Sequence, residues 1–208
     1  MTITLVRHGE VDEAFHRCYN GHNDIALSPK GQEEALELAQ HLKEKSFDAI
    51  YSSDLRRCQE TLKPIINQLN LSTSTTVIPA EAGMTAIPTL LTKELREKSW
   101  GRHEGMTFDA IVERDGLIYK HFEQWINALD GEPYDAYIER IQHFFTQTLP
   151  QTGYNSVLVV THAGVIRVLM HILKEITLEE AFSIDFPYSA YTTLDSDTWK
   201  FGETVCVS

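Results

Sequence analysis

The stretch SVLVVTHAGVIR, residues 156–167, gives the clearest indication of the fold class. Its first six residues are mostly apolar and β-branched, which is typical of a central strand that is covered on both faces. A histidine, an alanine and a glycine follow, and a helical pattern then runs from Val165 to Leu173. A strand that leads through a short turn into a helix predicts a parallel sheet with helices packed against it.

The N-terminal stretch TITLVRHG, residues 2–9, repeats this arrangement. A strand is predicted from Thr2 to Val6, and it stops at Arg7, His8 and Gly9. A helix is expected from Ser28-Pro29 to about Lys45, because a serine cap followed by proline is a typical helix start. The other predicted strands are 48–52, 76–79, 190–194 and 199–207, and the other helices are 53–69 (kinked or broken at Pro64), 107–129 and one that starts near 133.

Strands and helices alternate along the whole chain, which favours an α/β fold. We predict a three-layer α/β/α sandwich around a mostly parallel sheet, as one domain over residues 1–208. Residues 80–93 lack a clear pattern and are expected to form an inserted loop or a small helix.

The composition limits the classes of partner. The 208 residues carry a net charge of -12, which argues against nucleic acid or an anionic membrane surface. No apolar run is long enough to span a bilayer, and no secretory signal is visible. The three cysteines form no CxxC pair, so a reduced, cytoplasmic location is expected.

Four side chains are predicted to meet at one edge of the sheet. His8 and His162 each follow a strand, and the carboxyl ends of parallel strands form the ligand-binding edge of such sheets. Arg7 adjoins the first histidine, and Arg57 lies in the first turns of the helix after the second strand. Two guanidinium groups and a protonated histidine could bind a phosphoryl group without a metal, while a neutral imidazole attacks phosphorus.

Four blocks of sequence resemble the histidine phosphatase superfamily, in its phosphoglycerate mutase-like branch. These blocks are LVRHGE at 5–10, SSDLRRCQET at 52–61, LREKSWGRHEG at 95–105 and VVTHAGVIR at 159–167. They occur in the order of the family and span most of the chain. The resemblance implies a mixed six-stranded sheet with one antiparallel strand. The compact length is similar to α-ribazole phosphatase-like and broad-specificity members.

The resemblance also implies roles for individual residues. His8 matches the nucleophile, Glu97 the general acid and His162 the second histidine at the phosphoryl group. Arg7 and Arg57 match the phosphate-binding arginines. The pair Asn20-Gly21 resembles the substrate-binding turn beside the phosphate.

The first loop departs from the family pattern R-H-G-E-[ST]-x-x-N. Val11 replaces the hydroxyl residue, Ala14 replaces the asparagine, and Arg17 and Cys18 lie near the place of a displaced arginine. These changes leave open which edge of the substrate this loop contacts. No cofactor and no metal site are predicted, since His16, His22 and His103 lack the spacing of metal ligands.

The leading hypothesis is therefore a metal-independent phosphomonoesterase that acts on a small phosphorylated metabolite, such as α-ribazole 5'-phosphate. A phosphoglycerate mutase-type phosphotransferase and a non-catalytic phospho-ligand binding protein are the alternatives. Residues 106–135 contain only two cations, Arg114 and Lys120, which disfavours a mutase that binds a bisphosphate. Oligomeric state cannot be inferred from the sequence.

Overall fold

The computed structural model describes residues 1–69, 87–116 and 120–207. Its strands are β1 (Thr2–Arg7), β2 (Ala49–Ser53), β3 (Thr89–Thr92), β4 (Ser156–Thr161), β5 (Tyr191–Asp195) and β6 (Lys200–Phe201). Its α-helices are α1 (Pro29–Leu42), α2 (Arg56–Gln68), α3 (Phe108–Asp115), α4 (Phe122–Ala128), α5 (Tyr134–His143), α6 (Ala163–Lys174) and α7 (Leu178–Ser183).

The six strands form one sheet in the order β3-β2-β4-β1-β5-β6. Strands β1 to β4 run parallel, while β5 is antiparallel to both of its neighbours, β1 and β6. The sheet is therefore mixed, with one antiparallel strand, as the resemblance implied. The three central strands β2, β4 and β1 end side by side, because Arg7 is in register with Thr161 and Ser52 with Val160.

Two hydrophobic clusters cover the two faces of the sheet. On β1, Leu5 faces one cluster and Val6 the other, and on β4 Val159 and Val160 divide in the same way. Helices α1 and α2 cover the face of Val6, whereas α5 and α6 cover the face of Leu5. This alternation explains why the central strands read as continuous apolar runs. The predicted three-layer α/β/α class is confirmed.

The structure corrects three of the predicted boundaries. Residues Thr89–Thr92, expected to be irregular, form the edge strand β3 parallel to β2. The helix predicted over 107–129 is divided into α3 and α4, because Gly116 adopts a left-handed conformation (φ 61°) that ends α3. Helix α2 continues through Pro64 to Gln68, so the predicted break is wrong, and a kink at Pro64 stays a prediction.

Some predictions lie outside the described residues or remain untested. The strand predicted at 76–79 and residues 80–86 of the predicted insertion are not described. The last strand is shorter than predicted: only Lys200–Phe201 is a strand, and Val205 forms an isolated bridge to Tyr191. The assignment of residues 1–208 to a single domain stays a prediction.

Candidate active site

Two histidines meet at the carboxyl edge of the central strands. His8 follows β1 and His162 follows β4, and these strands are neighbours in the sheet. The two rings lie 5.2 Å apart, centroid to centroid, at an interplanar angle of 64°. Both side chains are buried. The sheet register therefore brings the two strand–turn–helix junctions of the sequence together.

The tautomer of His8 is fixed by its own turn. Its Nδ1 lies 2.8 Å from the carbonyl oxygen of Gly9. Because a carbonyl oxygen can only accept a hydrogen bond, Nδ1 carries the proton and Nε2 keeps its lone pair. The turn is held in place by Thr61, whose Oγ1 accepts from the backbone N–H of Gly9 at 2.9 Å. Burial, with help from Arg57 and Arg7, keeps the pKa of His8 well below its usual value. The side chain is thus a neutral imidazole at neutral pH, with a free lone pair on Nε2.

His162 has a protein partner for each ring nitrogen. Its Nδ1 accepts from Nε of Arg57 at 3.2 Å, and its Nε2 lies 2.9 Å from Oγ of Ser53, at the end of β2. A guanidinium only donates, so the ring proton is on Nε2. Burial and the neighbouring Arg57 and His8 hold the pKa of His162 well below its usual value. A neutral His162 is favoured, in contrast to the protonated histidine expected from the sequence.

Arg57 links the two strand ends to the first loop. The side chain is 1% exposed, and besides His162 it donates to three backbone carbonyls. Its Nη1 donates to Asn23 at 2.9 Å, and its Nη2 donates to Gly21 at 2.7 Å and to Asn20 at 3.4 Å. The guanidinium is therefore fixed in position by protein groups while it also lines the pocket. Such preorganisation is what a phosphate-binding cation requires.

Asn20 and Gly21 contribute to the site in different ways. Asn20 lines the pocket, whereas Gly21 supports it from behind through its carbonyl to Arg57. A Cβ at position 21 would lie 2.1 Å from the carbonyl oxygen of Lys98, so this close approach requires glycine. Both N–H groups of the turn, those of Gly21 and His22, donate to the carboxylate of Glu104 at 2.8 Å. The sequence did not single out Glu104.

Arg7 projects from the end of β1 into the same pocket. Its Nη1 donates to the carbonyl oxygen of Phe186, and its guanidinium carbon lies 3.8 Å from the ring centroid of Tyr188. Its Nε is buried and has no hydrogen-bond partner among the described residues. Burial lowers the pKa of Arg7 from its ordinary value. The unused donor makes Arg7 suited to bind an anion.

Glu97 lies at the N-terminus of α6. Its Oε2 accepts from the backbone N–H of Gly164 at 2.9 Å, and its Oε1 accepts from the hydroxyl of Tyr137 at 2.6 Å. A Cβ at position 164 would lie 2.1 Å from Oε1, so glycine is needed at this position, two residues after His162, for the carboxylate to fit. Glu97 therefore shares one pocket with His8, Arg7 and Arg57.

The pocket has a volume of about 180 Å³. Beyond the residues predicted from the sequence, an aromatic wall and one more arginine line it: Tyr19, Trp100, Phe182, Tyr188 and Arg167. Arg167 lies in the same block as His162, five residues later, so its position on α6 was a usable signal. The four aromatic residues come from separate segments without a common motif. Val11 and Cys18, two of the departures from the family pattern, also line this pocket.

The model of the histidine phosphatase superfamily (branch 1) matches residues 3–205. The chain belongs to the histidine phosphatase superfamily. A broad-specificity phosphatase of Saccharomyces cerevisiae is 28% identical over 177 residues, which is 83% of this chain and 70% of that protein. The adenosylcobalamin/alpha-ribazole phosphatase of Escherichia coli is 25% identical over 198 residues, covering 94% of this chain and 90% of that protein.

Solved structures agree with this family assignment. YhfR of Bacillus stearothermophilus superposes on this histidine phosphatase with a TM-score of 0.77 at 27% identity, covering 97% of this chain and 94% of that one. Phosphoglycerate mutases that depend on 2,3-bisphosphoglycerate are also among the relatives. The resemblance inferred from the four sequence blocks is confirmed, and a phosphatase activity is supported.

Within residues 1–69, 87–116 and 120–207, histidine, cysteine, aspartate and glutamate side chains do not come together in any group of three or more that could hold a metal ion. Over the same ranges, none of the helices combines the length and the apolar character needed to cross a bilayer.

Proposed function

We propose that this histidine phosphatase is a phosphomonoesterase that works through a phosphohistidine at His8. The main support for this proposal is the hydrogen bond from Nδ1 of His8 to the carbonyl of Gly9. This bond leaves the Nε2 lone pair as the nucleophile in a pocket with two arginines. Nε2 attacks phosphorus and the P–O ester bond breaks, while the guanidinium groups of Arg7 and Arg57 bind the phosphoryl oxygens.

Glu97 acts as the general acid and then as the general base. In the first step its carboxyl group gives a proton to the leaving alkoxide, and the free alcohol departs. In the second step the carboxylate takes a proton from water, and the oxygen of that water attacks the phosphohistidine. The N–P bond breaks, inorganic phosphate leaves, and His8 and Glu97 return to their starting protonation states.

For His162 we propose a role at the phosphoryl group that is shared with Arg57. Both of its ring nitrogens have protein partners, so its main effect is to orient the guanidinium through Nδ1. Asn20 is proposed to contact the substrate directly, whereas Gly21 positions Arg57.

The proposed substrates are small phosphate esters whose alcohol carries a planar aromatic group, the class to which α-ribazole 5'-phosphate belongs. Support comes from the aromatic wall of the pocket, defined as Tyr19, Trp100, Phe182 and Tyr188. Aromatic side chains favour flat apolar groups through stacking and edge contacts. The relatives named as α-ribazole and broad-specificity phosphatases are consistent with this proposal.

A mutase-type phosphotransferase is the second candidate. Arg167 lines the pocket as a third guanidinium, and among the described residues its Nε donates only to the carbonyl of Ile184, at 3.1 Å. A third cation would suit a substrate with a second anionic group. In a mutase, 3-phosphoglycerate would be converted into 2-phosphoglycerate without release of inorganic phosphate.

The deciding experiment is a phosphate-release assay over a panel of metabolites that includes α-ribazole 5'-phosphate and 3-phosphoglycerate. We expect wild-type protein to release phosphate, to keep full activity in EDTA, and to lose the activity in His8→Ala. Wild-type turnover by His8→Ala would reject the nucleophile. Loss of activity in EDTA would reject the metal-independent mechanism, and isomerisation of phosphoglycerate without phosphate release would favour the mutase.

A further inference from the structure

The hydroxyl of Tyr137 donates a hydrogen bond to the carboxylate of Glu97. Tyr137 lies on α5, its side chain is 0% exposed, and its hydroxyl donates to Oε1 of Glu97 at 2.6 Å. Burial and the nearby carboxylate raise the pKa of this tyrosine well above its usual value, so the group stays a hydroxyl and a donor. The contact joins a residue of the helical layer to the proposed proton donor at the sheet edge.

The two oxygens of Glu97 differ in their remaining capacity to accept hydrogen bonds. Oε1 accepts from the Tyr137 hydroxyl and from the backbone N–H of Lys98 at 3.1 Å, which uses both of its lone pairs. Oε2 accepts only from the backbone N–H of Gly164 among the described residues, which leaves one lone pair. A proton added to this carboxylate therefore has its place on Oε2.

We propose that Tyr137 is a positioning residue for Glu97, which occupies Oε1 and so keeps the transferable proton on Oε2. This inference rests on the proposed function of Glu97 as the general acid. Without the hydroxyl, Oε1 has a free lone pair and the carboxyl proton is divided between two oxygens. Only one of these orientations serves the leaving oxygen, so proton transfer slows while substrate binding is unaffected.

The test compares two esters that differ in their need for a proton. Ethyl phosphate releases a strongly basic alkoxide that must be protonated, whereas p-nitrophenyl phosphate releases a weakly basic phenolate that needs no acid. We expect Tyr137→Phe to lower kcat/KM for ethyl phosphate by roughly ten-fold and to change that for p-nitrophenyl phosphate by less than about two-fold. Glu97→Gln should show the same selectivity with a larger loss.

Tyr134→Phe is the matched control. Tyr134 is a buried tyrosine on the same helix, and its hydroxyl has no hydrogen-bond partner among the described residues. Its substitution should leave the ratio of the two rates unchanged. For each variant, kcat/KM for both esters is measured on the same preparation. A lower fraction of folded protein in Tyr137→Phe then reduces both values equally and leaves their ratio unchanged.

Two results would overturn the inference: an equal loss on both esters, which indicates a structural role, or no loss on ethyl phosphate. Failure of the proposed function has a different signature. In that case Glu97→Gln would show no selectivity between the esters, or His8→Ala would remain active on both.

Discussion

The two ends of the pocket are built in different ways. At one end, the fixed end, His8, Arg57 and the adjoining His162 come from the ends of β1 and β4 and the start of α2, and hydrogen bonds fix each of them. At the other end, the aromatic wall is assembled from three stretches of the chain, around residues 19, 100 and 182–188, and ring contacts such as that of Tyr19 with Trp100 at 5.0 Å join its members. The fixed end suits chemistry common to all phosphate esters, and the wall suits the choice among them.

The largest expected effect comes from the fixed end. Arg57→Ala would leave three backbone carbonyls and Nδ1 of His162 without their donor. Removal of one preorganised donor costs about 10²–10³ in rate, and we expect kcat/KM to fall by at least this factor on every phosphate ester. Steady-state kinetics with two unrelated esters measure this.

The neighbouring Arg56 provides the control for this substitution. Its side chain is mostly exposed, and its Nε pairs with Glu60 at 2.7 Å one helical turn away. Arg56→Ala should change kcat/KM little. The variant should also stay folded, since exposed ion pairs of this kind contribute only about 0.3–0.5 kcal/mol to the free energy of unfolding. A similar loss in Arg56→Ala and Arg57→Ala would show that the two arginines do not differ in function.

A smaller and more selective effect is expected from the wall. Phe182→Ala removes an apolar ring from the pocket. We expect KM for an aromatic ester to rise by about ten-fold, since one apolar contact is worth roughly 1–3 kcal/mol, while ethyl phosphate is little affected. Phe108→Ala is the control, because Phe108 is 48% exposed and does not line the pocket. Equal changes in KM for both esters would contradict the proposal that Phe182 contacts the aromatic leaving group.

The smallest effect concerns the support behind the wall. Lys98 is buried, donates to the carbonyl of Asp130 at 3.1 Å, and its Nζ lies 4.3 Å from the ring centroid of Trp100. Burial lowers the pKa of Lys98 to about 8. Between pH 8 and the ordinary lysine value near 10.5, the unfolded chain holds this proton and the folded chain does not. The contribution of Lys98 to the free energy of unfolding therefore rises with pH over this interval, by at most about 1.4 kcal/mol per pH unit.

Lys98→Met removes the titrating group and keeps a flexible apolar side chain in its place. Denaturant unfolding at pH 8, 9 and 10 should give a flatter pH dependence for the variant than for wild type. The same slope in both proteins would show that Lys98 does not titrate in this range.

The sequence predicted the fixed end far better than the wall. A strand followed by Arg7-His8-Gly9 or by His162 is a local pattern, and parallel strands place such junctions at one edge whatever lies between them. Arg57 followed from its position in the first turns of the helix after the second strand, whereas Glu97 followed from the resemblance to the family. The three layers followed from the alternation of strands and helices, which is also a local pattern, whereas the mixed sheet followed from the resemblance.

The wall could not be predicted because its members share no pattern. No spacing relates Trp100 to Phe182, and helix α7, which carries Phe182, has only six residues and was not predicted. The division of the 107–129 helix at Gly116 depended on one left-handed glycine. The contact between Tyr137 and Glu97 joins residues 40 positions apart, and no spacing rule relates them.

In the proposed reaction, phosphorus bonds to Nε2 of His8 during turnover. The most direct measurement of this step is a rapid quench of the enzyme with a ³²P-labelled ester, followed by peptide mapping. We predict a label on the peptide that contains His8 which is stable in alkali and labile in acid, and which is absent from His8→Ala. A label on a serine or an aspartate, or an undiminished label in His8→Ala, would contradict the account.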